Sequence, residues 1–339
     1  MPGDARAPLR YGLGVASLFV LSQLLDWQLG FLAPLMAAMF LQAPRPPSAR
    51  AALTLIAVAA LLLAGGVVWS ALTVRFPAPY FVSLAALLWL TFRFAARGGN
   101  PLIVLFALLA LLLIPSLTSA RPALASIAAA DVVLNFAAAL AGAALWFAIV
   151  PPPTAATQAA AAPPARPDRA EADRRAATML AIVLPLVAFM RVTDSDNLIT
   201  LIFVALLVQQ VSAAATGAAG RAMLVSNAIG GLVAWLSFTL LVAAPQPLFF
   251  VAIVAATLLA AAAFLWSGRP RAKLAGGAVS GYLVLLGGAI APFGEDFDAD
   301  FLDRLVQIGM AIAYVLAALW AVDALREASA AKRRRRAAA

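Results

Sequence analysis

Two acid–amide pairs are the residues of this sequence best suited to chemistry. Asp131 is followed four residues later by Asn135, and Asp303 is followed at the same spacing by Gln307. Residues at positions i and i+4 lie on one face of a helix, one turn apart. A carboxyl group in apolar surroundings can bind and release a proton near neutral pH. The pairs therefore predict proton coupling by the acids and substrate binding, or support of the acid, by the amides.

The position of these pairs leaves a second interpretation open. Each pair falls near the beginning of the last apolar segment of its half of the chain, on the predicted outer side. An aspartate at such a position can instead cap the first turn of a helix at the water interface. The recurrence of both residues in both halves favours a functional role.

Two further acids occupy short loops between apolar segments. Asp26 follows the first segment of the first half, and Asp196 occupies the same place in the second half, two residues after Asp194. These loops could form an outer vestibule, so Asp26 and Asp196 are also candidates for proton coupling. The alternative is an ordinary solvated turn acid.

Three other polar residues are candidates for substrate binding. Arg191 and Arg304 are the cations on the predicted outer side that come closest to apolar helix ends. Arginine can grip a carboxylate through two parallel hydrogen bonds, although it can also snorkel to lipid headgroups. Asn227 lies inside an apolar segment, where an amide either contacts substrate or bonds to a neighbouring helix.

The composition excludes several kinds of chemistry. The 339 residues include no histidine and no cysteine, so neither imidazole nor thiolate is available as a base, nucleophile or metal ligand. The phosphate-binding pattern GxxxxGK[ST] is absent. We expect no cofactor and no bound metal, no ATP-driven transport by this chain alone, and no enzymatic activity.

The elements that must position these residues are membrane helices. The mean hydropathy is +0.97 and 64% of the residues are hydrophobic, which only a bilayer can accommodate. We predict an all-α polytopic membrane protein with about six apolar segments in each half, 10–12 helices in total. The segments cover about 9–25, 29–42, 51–74, 79–96, 101–117 and 123–150, then 175–191, 197–213, 221–243, 247–267, 273–292 and 301–325. The first segment is expected to be a retained helix.

The two halves repeat one pattern. Asp26 recurs as Asp196 and Asp131 as Asp303, and the other recurring elements are Arg50 with Arg221, Gly65-Gly66 with Gly230-Gly231, and Pro77-x-Pro79 with Pro245-x-Pro247. All offsets lie between 165 and 172 residues. Duplication of this kind is typical of transporters built from two homologous bundles.

The distribution of charge predicts the topology. With the N-terminus in the cytosol, 20 of the 24 Lys and Arg residues lie inside and only Arg75, Arg121, Arg191 and Arg304 lie outside. Both termini are then cytosolic and the two repeats have parallel topology. We predict a first membrane repeat at 1–150, a Pro/Ala-rich cytosolic linker at 151–174, a second repeat at 175–326 and a basic cytosolic tail at 327–339. The tail suits anionic lipid, and no nucleic-acid partner is expected.

One stretch resembles a known family. The run FLAPLMAAMFLQAPRPPSAR is followed by an apolar segment that reaches Gly65-Gly66. It resembles the fusaric-acid-resistance and aromatic-acid-exporter superfamily, with Gln42, Pro44, Ser48 and Arg50 at the places of that pattern. The second half keeps a weaker copy around Arg221. The chain resembles a compact branch, because the large cytosolic domain of the bigger exporters is missing.

The resemblance implies a function that composition alone does not. It implies a proton-driven secondary exporter of aromatic or other organic acids, or of toxic small molecules, in the bacterial inner membrane. A periplasmic membrane-fusion adaptor and a homodimer are the protein partners it implies. Two alternatives remain open: an organic-anion channel lined by Arg191 and Arg304, and a membrane subunit of an efflux complex that does not transport on its own.

Overall fold

The computed structural model describes residues 5–27, 29–152, 168–192 and 217–290, together with positions 310, 314, 317, 318, 320 and 321. Of residues 217–224 it describes the backbone alone. All regular secondary structure within these described residues is helical, as predicted for an all-α chain.

The first two helices differ in length. Helix α1 spans Arg6–Leu24 and α2 spans Leu32–Leu41. With 10 residues, α2 is roughly 15 Å long, which is half of the roughly 30 Å hydrocarbon core. The segment predicted at 29–42 is therefore too short, as a helix, to cross a bilayer by itself. The turn before it contains two non-glycine residues with positive φ, Asp26 at 50° and Leu29 at 54°.

Proline fixes the beginning of two helices that carry the site and the groove described below. Helix α3 spans Ala49–Thr73, and α4 spans Pro77–Ala96 with proline in its first turn. Proline suits that position because the first N–H groups of a helix have no partner within the helix. The helix beginning at Pro247 uses the same device.

The segment after α4 is one helical rod with a local irregularity. It consists of α5 (Pro101–Leu108), a π-helical turn (Leu109–Leu113) and α6 (Ile114–Ala120). Pro115 lacks an N–H and its ring would collide with the carbonyl four residues earlier, so the wider π turn precedes it. The short predicted run 102–114 thereby extends through its flanks to a continuous stretch of 19 residues, Pro101–Ser119.

The remaining described helices are α7 (Pro122–Ile149), α8 (Arg169–Val192), α9 (Gly217–Ala243), α10 (Pro247–Leu265) and α11 (Leu274–Ile290). Helix α8 begins at Arg169, five residues before the predicted end of the linker at residue 174. Charged residues stabilise this extension, because Arg175 bonds to Glu171 one turn away. The predicted linker therefore extends no further than residue 168.

The helices carry the surface expected of a multi-pass membrane protein. Within the described residues, six helices are long and apolar enough to cross a membrane. Large apolar side chains on them are exposed, for example Leu61 at 74% and Leu248 at 80%. Such surface is unfavourable in water and suits contact with lipid. The total of 10–12 spanning helices stays a prediction.

The chain divides into two compact units. Unit 1 comprises Met1–Leu61, Ile127–Pro164 and Gly217–Leu305, and unit 2 comprises Leu62–Ser126, Ala165–Thr216 and Val306–Ala339. In unit 1, α1 packs on α10 and α9 packs on α11. In unit 2, α4 packs on α8. Each unit therefore combines helices from both halves of the sequence.

Close helix crossings depend on glycine. In unit 1 a Cβ on Gly230 would lie 2.2 Å from the carbonyl oxygen of Ala278, and a Cβ on Gly277 would lie 2.4 Å from the Ser226 hydroxyl. In unit 2 a Cβ on Gly66 would lie 2.7 Å from the carbonyl oxygen of Ala110. The absence of a side chain at these positions lets the backbones approach.

Candidate functional site: an arginine on an aromatic surface

One end of the α4–α8 pair in unit 2 brings an arginine onto an aromatic ring. Tyr80 lies in the first turn of α4, and Arg191 lies in the last turn of α8. The guanidinium carbon of Arg191 is 5.1 Å from the centroid of the Tyr80 ring, which is within range of cation–π attraction. Arg191 is half-exposed, so its outer edge stays open to a ligand.

The surface beneath Arg191 is fixed on several sides. The Tyr80 ring is stacked on Trp69 of α3, with 5.5 Å between centroids and 23° between planes. The indole N–H of Trp69 donates a hydrogen bond of 3.1 Å to the Ser83 hydroxyl. We call Trp69, Tyr80, Ser83 and Arg191 the aromatic–arginine cluster. Because Tyr80 is 3% exposed, the ring has little freedom to reorient.

The two arginines of this helix pair differ in their partners. At the opposite end Arg93 of α4 forms an ion pair with Asp173 of α8, with 2.5 Å between Nε and Oδ1 and 3.4 Å between Nη2 and Oδ2. Within the described part of the chain, Arg191 forms no ion pair with a carboxylate. Arg93 therefore holds two helices together, whereas Arg191 can accept an anionic ligand.

The cluster has the chemistry to recognise an aromatic carboxylate. A guanidinium presents a planar fork of donors that matches the two oxygens of a carboxylate. Tyr80 is buried against Trp69 and Arg191, whereas the Trp69 ring is half-exposed and offers an aromatic surface to a ligand. Arg191 lies in the last turn of α8, and the structure gives it aromatic neighbours that the sequence did not indicate.

The Asp131–Asn135 pair lies inside a helix and not at its beginning. Helix α7 begins at Pro122, so Asp131 is nine residues, or roughly 14 Å, beyond its start. The N-cap interpretation of Asp131 is therefore wrong, because only the residue that precedes the first turn can cap it. Asp131 is half-buried, and its carboxylate forms no ion pair or hydrogen bond with another described residue.

Asn135 bonds to the backbone of its own helix. It is 1% exposed, and its amide nitrogen donates a 2.8 Å hydrogen bond to the backbone carbonyl of Asp131. The neighbouring Phe136 ring packs against Phe40 of α2 at 5.9 Å. The amide thus lies on the packed side of α7, and its predicted contact with a substrate stays a prediction.

Two other candidates, Asp26 and Asn227, belong to unit 1. Asp26 is exposed in the turn after α1, which matches the alternative of a solvated turn acid. Asn227 of α9 lies at the crossing with α11, where its Oδ1 would be 3.2 Å from a Cβ on Gly281. This position indicates helix packing, the alternative already open for an amide inside a span.

Four predicted site residues, Asp196, Asp303, Arg304 and Gln307, lie outside the described residues. Among the residues that are described, no group of three or more acids forms a potential metal site. Of the candidates that the structure describes, Arg191 alone lies in a cluster with ligand-binding chemistry.

Sequence reasoning missed Trp69, Tyr80 and Ser83. The spacing gave no signal, because Trp69 and Tyr80 come from different helices and Arg191 comes from the other half of the chain. Trp69 carries the ordinary signature of an interfacial tryptophan near a helix end. Only knowledge of which helices pack on each other would place Trp69, Tyr80 and Ser83 beside Arg191.

Comparison with known proteins gives one partial match. Residues 7–149 match the family model described as a protein of unknown function, DUF2955. No curated protein and no solved structure matches the chain. The matched region runs from α1 to the end of α7, so it includes Trp69, Tyr80 and Asp131 and excludes Arg191. It covers less than half of the chain and nearly all of the first predicted repeat.

Proposed function

We propose that this chain is a secondary active, proton-driven exporter of aromatic or other organic acids, or of related toxic small molecules, in a bacterial inner membrane. The observation that carries the proposal is the aromatic–arginine cluster of unit 2. In it a guanidinium without a carboxylate partner among the described residues rests on a fixed aromatic surface. An organic acid supplies both the missing anion and a ring that can stack.

The position of Asp131 supports the proton-coupled part of the proposal. A half-buried carboxyl group inside a candidate span has no evident structural partner among the described residues. Carboxyl groups at membrane depth commonly mark proton or ion pathways. Asp131 would take a proton from outside while the substrate anion leaves, and Asp303 would do the same in the second repeat.

Reciprocal helix pairing supports two related repeats. In unit 1, α1, which is the first segment of the first half, packs on α10, which is the fourth segment of the second half. In unit 2 the roles are reversed: α4, the fourth segment of the first half, packs on α8, the first segment of the second half. Gly66 against Ala110 and Gly230 against Ala278 give the same contact between third and fifth segments. Such an exchange is expected of homologous repeats in a transporter.

The decisive test is flux from proteoliposomes loaded with 2-naphthoate, an aromatic carboxylate whose release can be followed by fluorescence. We expect efflux that accelerates when a pH gradient is imposed and that depends on Arg191. Flux that follows the anion gradient and ignores the pH gradient would identify an organic-anion channel. Absence of flux together with copurification of a periplasmic adaptor would identify a subunit of an efflux complex.

A further inference from the structure

Unit 1 carries an open groove at the end where α1 ends and α10 begins. Its volume is about 390 Å³, and it is lined by residues of α1, of α9 and of the turn into α10. Small-molecule sites in proteins typically begin at roughly 300 Å³. The groove is therefore large enough for a molecule of one or two rings.

The lining of the groove is uncharged. Two glutamines, Gln23 and Gln246, are its polar residues, and the remainder are Leu, Val, Pro and Phe. An anion or cation held there would lose part of its hydration and find no group of opposite charge in the lining. The groove therefore suits a neutral ligand, in contrast to the aromatic–arginine cluster.

The two glutamines supply hydrogen-bonding groups that no other described residue uses. Gln23 lies in the last turn of α1, and Gln246 directly precedes α10 without capping it. Neither side-chain amide forms a hydrogen bond with another described residue. Each amide offers two donors and one acceptor oxygen, so together they can hold a hydroxyl or amide group of a ligand.

Two phenylalanines supply the apolar wall. Phe238 of α9 is 5% exposed, and Phe250 of α10 is half-buried. The Phe250 ring packs against the fully buried Phe19 ring of α1 at 6.0 Å and 49°. Because Phe19 supports it from behind, Phe250 presents a stable face on which an aromatic ligand can stack.

We propose that this groove binds a small uncharged aromatic compound that carries one hydrogen-bonding group, such as a phenol. The amides of Gln23 and Gln246 hold the polar group, and Phe238 and Phe250 contact the ring. The inference is independent of the function proposed above, because it concerns other residues in the other unit and requires no transport.

Binding of tritiated 2-naphthol to the purified full-length protein tests the assignment. We expect Gln23→Leu and Gln246→Leu each to weaken binding by roughly 3- to 10-fold, the contribution of one neutral hydrogen bond, and Leu241→Trp, which fills the groove, to abolish it. Gln42→Leu is the matched control, since Gln42 is an exposed glutamine that bonds to its own helix at Ala38. Unlabelled 2-naphthoate should not compete at concentrations where unlabelled 2-naphthol does.

Three results would overturn the proposal. The first is 2-naphthol binding that survives both glutamine substitutions and Leu241→Trp in variants with unchanged thermal unfolding. The second is equal competition by 2-naphthoate, which would remove the preference for an uncharged ligand. The third is binding in detergent that is lost in phospholipid nanodiscs, which would identify the groove as an acyl-chain site.

Discussion

The guanidinium carbon of Arg191 on α8 lies 5.1 Å from the ring centroid of Tyr80 on α4. At the other end of the same two helices, Arg93 on α4 forms an ion pair with Asp173 on α8. The two helices α4 and α8 thus contact each other through one arginine at each end, with different chemistry. The arginine that is paired with a carboxylate, Arg93, has a structural role. An arginine on a ring retains its donors for a ligand, and this difference underlies the first two predictions.

Arg191→Gln should weaken binding of 2-naphthoate by roughly 10- to 100-fold, since a hydrogen bond to a charged group contributes about 1.5–3 kcal/mol. Arg191→Lys should retain part of the affinity, because the charge remains and the planar fork is lost. Equilibrium binding to purified protein measures both. Arg121→Gln is the control, since Arg121 is an exposed cation on the same predicted side. Equal effects of the Arg121 and Arg191 variants would show that only general surface charge matters.

Arg93→Gln and Asp173→Asn should each lower the stability of the protein without changing its affinity for 2-naphthoate. The partners are 30% and 38% exposed, so the coupling energy of a double-mutant cycle should be modest, about 0.5–1 kcal/mol. Thermal unfolding in detergent provides the measurement. The exposed pair Glu171 and Arg175 within α8 is the reference, with an expected value of about 0.3–0.5 kcal/mol. A coupling no larger than this reference would contradict the assigned structural role.

Gly66→Ala should destabilise the protein by about 1–3 kcal/mol, because the added Cβ would lie 2.7 Å from the carbonyl oxygen of Ala110 and overpack the crossing. The preceding residue provides the matched control. Gly65 has no atom within 4 Å of an added Cβ, so Gly65→Ala should be neutral or stabilising by up to about 1 kcal/mol. Thermal unfolding of the two variants provides the measurement. An equal change in stability for Gly66→Ala and Gly65→Ala would disprove the close crossing at Gly66.

Asp131→Asn should abolish the acceleration of 2-naphthoate efflux by a pH gradient and leave equilibrium binding unchanged. The substitution keeps the shape of the side chain and removes its ability to exchange a proton. Proteoliposome flux with and without the gradient measures the effect. Asp26→Asn, at an exposed turn acid, should retain full coupling. Retained coupling in a folded Asp131→Asn protein would exclude this carboxyl group as the proton carrier.

The sequence predicted the helical class and several boundaries for local reasons. The segment predicted at 247–267 begins at Pro247, and the one predicted at 79–96 begins two residues earlier, at Pro77, because proline suits the first turn of a helix. These features depend on residues near one another in the chain, so one sequence is enough to predict them.

The candidate site could be predicted only in part, because it depends on helix pairing. Arg191 was found from its position at an apolar helix end, but nothing in the spacing linked it to Tyr80. The N-cap alternative for Asp131 failed since Pro122 starts α7 nine residues earlier. Asn227 was a substrate candidate, yet it lies at the α9–α11 crossing against Gly281, which is 54 positions further along the chain.

The composition of the two units also determines the order in which the molecule can be assembled during synthesis. Helix α1 meets α10 only after every segment up to Pro247 has entered the membrane, and α4 waits in the same way for α8. The first half of the chain therefore has to persist in the bilayer with incomplete helix contacts. Until α8 and α10 are inserted, the nascent chain therefore depends on the stability of its individual helices in lipid and not on tertiary packing.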